Sequence, residues 1–183
     1  MSRSLAFALA AVLAAPAAAA GKAKPPAMEK TMLDASFECG LPAGWSSTRE
    51  SDGVTLLGPR DENKLAAQIR VRYVSPANRL YKNVDEYMTR MTKITDLSVP
   101  GWKIGKVEPA SVAGRKSKRV LNDSSEFVPP GGRDSKEVPM REEHVVVPAA
   151  KGFYVLLYYV PRSLYAPQRP VFLKVLASFK PKL

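Results

Sequence analysis

His144 is the single histidine among 183 residues, and that count limits the available chemistry more than any motif supplies it. A metal site with two or three histidines, or of mixed cysteine and histidine ligands, is excluded when the chain offers one His144 and one Cys39. A serine hydrolase would have to use His144 as its base, yet no Gly-x-Ser-x-Gly elbow is present. His144 shares a strand face with Met140, Glu142 and Val146, where it either hydrogen-bonds a neighbour or stands half exposed. The carboxylates come as Asp61-Glu62, Asp85-Glu86 and Glu142-Glu143. Adjacent strand residues point to opposite faces, so Glu142 and Glu143 cannot line one site. A two-acid glycosidase pair would need acids distant in sequence. Gly131-Gly132, preceded by prolines, reads as a turn rather than a phosphate loop. No cofactor, metal or catalytic residue is assigned on these grounds.

The other feature with chemical content is charge. The net charge is +11, and a field of that size acts on polyanions and solubility without specifying a fold. "GRKSKR" places Arg115, Lys116, Lys118 and Arg119 within one short segment. Alternation sends Arg115, Ser117 and Arg119 to one face and Lys116 and Lys118 to the other, which suits an exposed edge. Lysines there block edge-to-edge aggregation. The functional reading is an anion-docking patch of Arg115, Lys116, Lys118 and Arg119, joined by Arg133 and Lys136 from a polar loop. Cys39, alone and on a strand face with Phe37 and Leu41, can form no intramolecular disulfide and reads as a small buried hydrophobe.

The elements that must hold these residues are legible in outline. Residues 1–20 carry one basic residue, an apolar run from Leu5 to Leu13, and small residues up to Ala20, the pattern of a cleaved signal peptide. Residues 21–30 read as a Lys/Pro-rich tether and 31–183 as a single domain. Met28 to Ala35 is expected to be a short helix. "SFECGLP", "GVTLLGP" and "KLAAQIRVRYV" read as strands, and Asn83 with Glu86 caps a helix from Val84 to Ile94. "WKIGKVEPASVAGRKSKRVLNDSSEFV" reads as two strands turning near Glu108-Pro109. "MREEHVVVP" and "GFYVLLYYVP" form a hairpin. Both faces of the second strand are apolar, so both are expected to be covered, one of them by a final helix opening near Pro170. The expected fold is α+β: a mainly antiparallel sheet of six or seven strands with helices on both faces, an α/β/α sandwich. The aromatics of "KGFYVLLYYVPRSLY" alternate to both faces, unlike a nucleic-acid stacking platform. Only Lys151, Arg162 and Tyr165, at its ends, are placed to reach a partner.

The order of these features resembles the PsbP and DcrB-like superfamily, shared with the Ran-interacting Mog proteins and mycobacterial LpqN-type lipoproteins. The resemblance is carried by "FECGLPAGWSS", "YKNVDEYMTRM", "VAGRKSKR" and "GFYVLLYYVPRSLYAPQRPVFLKVLASFKP", in that order over residues 36–181. It implies a helix-covered antiparallel sheet in a non-catalytic binding, chaperone or assembly role, and it carries over no catalytic residue or metal site. Together these readings give an exported, non-enzymatic accessory protein of the cell envelope, periplasmic or secreted, with no transmembrane span after signal cleavage. Its expected partner is an envelope protein or an anionic lipid or polysaccharide surface, not a specific nucleic acid. The alternatives are an envelope hydrolase using acids and His144, and a chaperone-like holder of apolar segments.

Overall fold

A computed structural model describes residues 27–93 and 101–183. The expected signal peptide and residues 21–26 of the tether lie outside the described residues, as does Ile94. Among the described residues, eleven strands form two sheets, accompanied by two helices. The small sheet has the order β1-β2-β11, from Met28–Leu33, Phe37–Pro42 and Lys180–Pro181. The large one runs β3 (Ser46–Glu50), β4 (Gly53–Arg60), β5 (Ala66–Val74), β10 (Phe153–Pro161), β9 (Lys136–Pro148), β8 (Arg115–Val128) and β6 (Lys103–Ile104). An eighth strand, β7 (Glu108–Val112), also pairs with β8. Every pairing is antiparallel.

Met28–Leu33 is a strand, not the expected helix. Its partner β2 is buried along most of its length, and pairing to that edge overrides the weak helical pattern of so short a segment. The residues expected to end the tether, Met28 to Lys30, therefore begin β1. The turn placed near Glu108-Pro109 falls instead at Ala113-Gly114, both in the left-handed region (φ 50° and 73°). Pro109 sits within β7, opposite Lys118.

The central strand β10 divides the core. Tyr154, Leu156, Tyr158 and Val160 join one apolar cluster with Phe37, Cys39 and Leu41 of β2 and with Val171, Phe172 and Val175 of α2 (Arg162–Ser178). Phe153 and Val155, on the opposite face, join a second cluster with Tyr87 and Met88 of α1 (Val84–Met91). Among the described residues that second cover is incomplete. Eight helical residues extend only about 12 Å, and beyond them Leu157 and Tyr159 stay half-buried. The expectation that both faces of β10 are covered therefore holds along the whole of one face and, among the described residues, at only one end of the other.

Two local arrangements fix the helices. The Asn83 side chain accepts from the Glu86 N–H at 2.8 Å, so it caps α1 as expected, while Glu86 accepts from the Lys82 N–H at 3.0 Å, one residue before the cap. The second helix begins at Arg162, eight residues before the expected start, and carries Pro167 and Pro170 inside it. An interior proline removes an N–H and costs roughly 3 kcal/mol, which is why the sequence points to a later start. Side chains of the sheet hold the early turns: the Tyr158 hydroxyl donates to the carbonyl of Tyr165 at 3.1 Å, and Arg169 and Tyr165 both reach Glu143. Arg162 and Tyr165 are thus helical residues rather than loop residues.

Candidate functional site

The six cationic candidates do not form one surface. Register puts Lys118 opposite Val146 and Val128 opposite Lys136, so the two groups sit at opposite ends of the β8–β9 hairpin. Ten residues of strand separate them by roughly 33 Å. At the first end, Arg115 donates to the carbonyl oxygens of Pro148 (2.8 Å) and Leu183 (2.9 Å). Lys118 pairs with Asp85 of α1, and Arg119 pairs with Glu108 and, at 3.5 Å, with Glu143. Lys116 stands exposed there. Because Arg115 ties the β7–β8 turn to the end of β9, exposed Lys151 of the β9–β10 turn belongs to this same end. At the far end Arg133 is exposed, and Lys136 reaches Asn63 at 3.3 Å, beside Asp61 and Glu62.

His144 is 4% exposed, beneath Tyr87 of α1. Its Nδ1 is 2.9 Å from the Tyr87 hydroxyl and its Nε2 is 3.2 Å from Glu142. Ser124 donates to the other Glu142 oxygen at 2.6 Å. An acid and a hydroxyl do lie within reach of His144, but the hydroxyl is that of Tyr87, itself 1% exposed. Burial pushes that phenol up to about 12, with the Arg72 guanidinium opposing the shift. The ring is packed under a helix with both nitrogens engaged, which removes it as an accessible general base. Burial favours the neutral form of Glu142, yet the hydrogen bonds from His144 and Ser124 hold its carboxyl below its ordinary value. Cys39 is fully buried, and burial pushes its thiol up to about 12, so it is inert as a nucleophile.

Next to this chain of hydrogen bonds is an open hollow of about 380 Å³, where α1 stops covering the sheet. Gln68 and Arg70 of β5, Leu157 and Tyr159 of β10, Glu142 of β9 and Glu126 of β8 line it. Arg70 is neutralised by Glu50 at 2.6 Å, and the Tyr159 hydroxyl donates to Glu126 at 2.6 Å. Of these residues only Glu142 stood out in the sequence as a possible chemical group. Alternation along β5 turns Arg70 away from Ile69 and Val71, but its place beside Glu126 depends on the strand order.

On the reverse face, fully buried Glu143 accepts from Tyr165 at 2.8 Å and from Arg169 at 3.0 Å, with Arg119 beyond. Beside it Arg141 grips Asp123 through two hydrogen bonds, 2.6 and 3.1 Å, and lies over the Tyr165 ring. These partners come from three elements, β8, β9 and α2, and no short-range spacing announces them.

The fold, though not any of these side chains, recurs among solved structures. CyanoP, the cyanobacterial PsbP of Synechocystis sp. PCC 6803, superposes with a TM-score of 0.52 at 14% identity, over 83% of this chain and 91% of its own. LpqN, involved in cell envelope biogenesis of Mycobacterium tuberculosis, gives 0.51 at 14% identity, over 80% and 85%. PA94 of Pseudomonas aeruginosa gives 0.51 at 11% identity, over 84% and 97%. The chain has the PsbP fold. No protein-family model matches it, and no curated protein does. Among the described residues, no helix of this PsbP-type chain is long and apolar enough to cross a membrane, and no group of three or more acidic, cysteine or histidine side chains could hold a metal ion.

Proposed function

We propose that the chain is an exported, non-enzymatic accessory protein of the cell envelope that docks on an anionic envelope surface through one basic end of its sheet. The observation that carries this reading is the Arg115–Pro148 hydrogen bond at 2.8 Å, which gathers the β7–β8 and β9–β10 turns. Lys116 and Lys151 then project from one end, in a chain of net charge +11. The engagement of both His144 nitrogens in buried hydrogen bonds supports a non-catalytic role over the hydrolase alternative. The involvement of LpqN in envelope biogenesis points the same way. The fold in this reading is a sandwich, with α2 and the small sheet over one face and α1 over part of the other. A chaperone-like holder would need one contiguous apolar surface, whereas Leu33, Leu80, Phe127 and Leu173 are exposed on separate segments.

Sedimentation with anionic and with neutral vesicles, at low and moderate salt, tests the docking. Binding should require anionic lipid and weaken with salt. Replacing both Lys116 and Lys151 by alanine should cost about 1 kcal/mol per lysine. Absence of salt-sensitive retention on anionic vesicles, lipopolysaccharide and heparin would sink it.

A further inference from the structure

The polar hollow at the uncovered end of the sheet has an electrostatic character opposite to that of the chain. Two carboxylates, Glu126 and Glu142, face it in a protein of net charge +11. Their hydrogen bonds come from Tyr159, from Ser124 and from His144. Among the described residues no lysine or arginine forms an ion pair with either acid, although the hollow's own Arg70 is matched by Glu50. An ionised carboxylate offers about four acceptor positions; Glu126 uses one of them here and Glu142 two. Negative charge and acceptor capacity are therefore left over on one wall. Leu157 and the Tyr159 ring supply an apolar floor beside them, and the volume of about 380 Å³ falls at the small end of ligand sites.

We propose that this hollow binds a small organic cation. Its ammonium or guanidinium group sits between Glu126 and Glu142, and its apolar body lies on Leu157 and Tyr159. A hard metal ion would ask for six or more oxygen ligands, which two carboxylates cannot provide, whereas an ammonium or guanidinium presents several N–H donors that match the free acceptor positions. The Ser124 and His144 hydrogen bonds hold Glu142 in place, and the Tyr159 hydroxyl holds Glu126, so the anionic wall exists before a ligand arrives. This site is independent of the basic end proposed for docking.

The full chain would be titrated with benzamidine, phenethylamine and agmatine, and with the uncharged benzamide and the anionic benzoate as controls. The readout is the Leu157 methyl and Tyr159 ring signals by NMR. At least one cation should give saturable shifts there by about 10 mM, with the controls at least about tenfold weaker. Glu126→Gln should weaken the binding about tenfold or more, since hydrogen bonds to a charged group are among the stronger ones, while Lys116→Ala leaves it unchanged. Glu126 is only half-buried, so the variant is expected to fold, and an unchanged amide spectrum verifies that. The idea is overturned if no cation shifts those signals, if benzamide or benzoate binds as well as the cations, or if Glu126→Gln retains full affinity.

Discussion

Glu142 and Glu143 are consecutive on β9 and occupy opposite kinds of environment. Glu143 faces α2, is 1% exposed, and is held by Tyr165, Arg169 and Arg119. Glu142 faces the other way, opens on the hollow, and takes its hydrogen bonds from His144 and Ser124. A one-residue step along a strand thus separates a carboxylate that anchors a helix from one that is available to a ligand. What differs is the cover: α2 has 17 residues and α1 has eight. The longer helix brings arginine and tyrosine down onto the sheet, whereas Arg90 and Met91 of the shorter one line a hollow with Glu142 without a hydrogen bond or ion pair to it.

The largest effect should come from cutting the anchored acid. Glu143→Gln leaves Arg169 and Arg119 facing a neutral amide, and breaking a buried ion pair in this way costs about 3 kcal/mol or more. The lower figure applies because the two arginine side chains are 32% and 36% exposed and can rehydrate. Glu142→Gln removes no arginine or lysine partner among the described residues, so its cost should stay near 1 kcal/mol. Urea unfolding of both variants measures the gap. Equal losses would erase the distinction between the two faces.

A step smaller is the helix-to-sheet tie through His144. Tyr87→Phe keeps the ring contacts with Phe153 and Tyr81 but leaves His144 Nδ1 without its hydroxyl, in a site that is almost fully buried. A cost of about 1–2 kcal/mol is expected, with the loss of protection concentrated in amides of α1. An undiminished stability would show that the Tyr87–His144 contact is incidental to how α1 is held.

The contrast between the two faces was only half readable from residues. Period-2 alternation identifies β10 as the divider of the core and assigns Glu142 and Glu143 to opposite sides. It cannot measure how far a helix reaches, so Leu157 and Tyr159 looked as enclosed as Phe153 and Val155. Prolines misled at the other helix: Pro167 and Pro170 argue against helix on local grounds, and only the bonds of Glu143 with the Tyr165 and Arg169 side chains and of the Tyr158 hydroxyl with the Tyr165 carbonyl reverse the argument. The basic cluster shows the same limit. "GRKSKR" suggests an exposed edge, yet β8 is paired there with both β7 and β9 and only the hairpin end is open; Arg133 and Lys136 belong to the opposite end, because the length of β8 carries them there. Short-range signals survive where they describe a strand face or a cap, as at Asn83. They fail where a pairing register or a distant side chain decides.

Acid should act on both faces through different acids. The hydrogen bonds from Arg141 hold Asp123 below its ordinary value, and those from His144 and Ser124 do the same for Glu142 against the effect of burial. A carboxyl with a depressed native value contributes stability that is present above its unfolded value, about 4, and lost as pH falls through the native one. Stability should therefore decline as pH drops below about 5. Asp123→Asn and Glu142→Gln should each flatten that decline. Urea midpoints between pH 7 and pH 3 give the comparison, and slopes unchanged in both variants would detach the acid response from these two sites.

The smallest effect is expected where a charged pair ties α1 to the sheet from outside. Lys118 and Asp85 are paired, yet their side chains are 44% and 77% exposed. Solvent screening holds such a bridge to between about 0 and 1 kcal/mol. The two partners are not equivalent, because Asp85 also sits in the first turn of α1, where a negative charge favours the helix. Asp85→Asn should then cost more than Lys118→Ala, and added salt should shrink both losses. If Lys118→Ala proves the costlier change, α1 owes its position to the bridge rather than to its own N-terminal charge. The incomplete cover of Glu142 would then depend on a surface lysine as well as on the length of the helix.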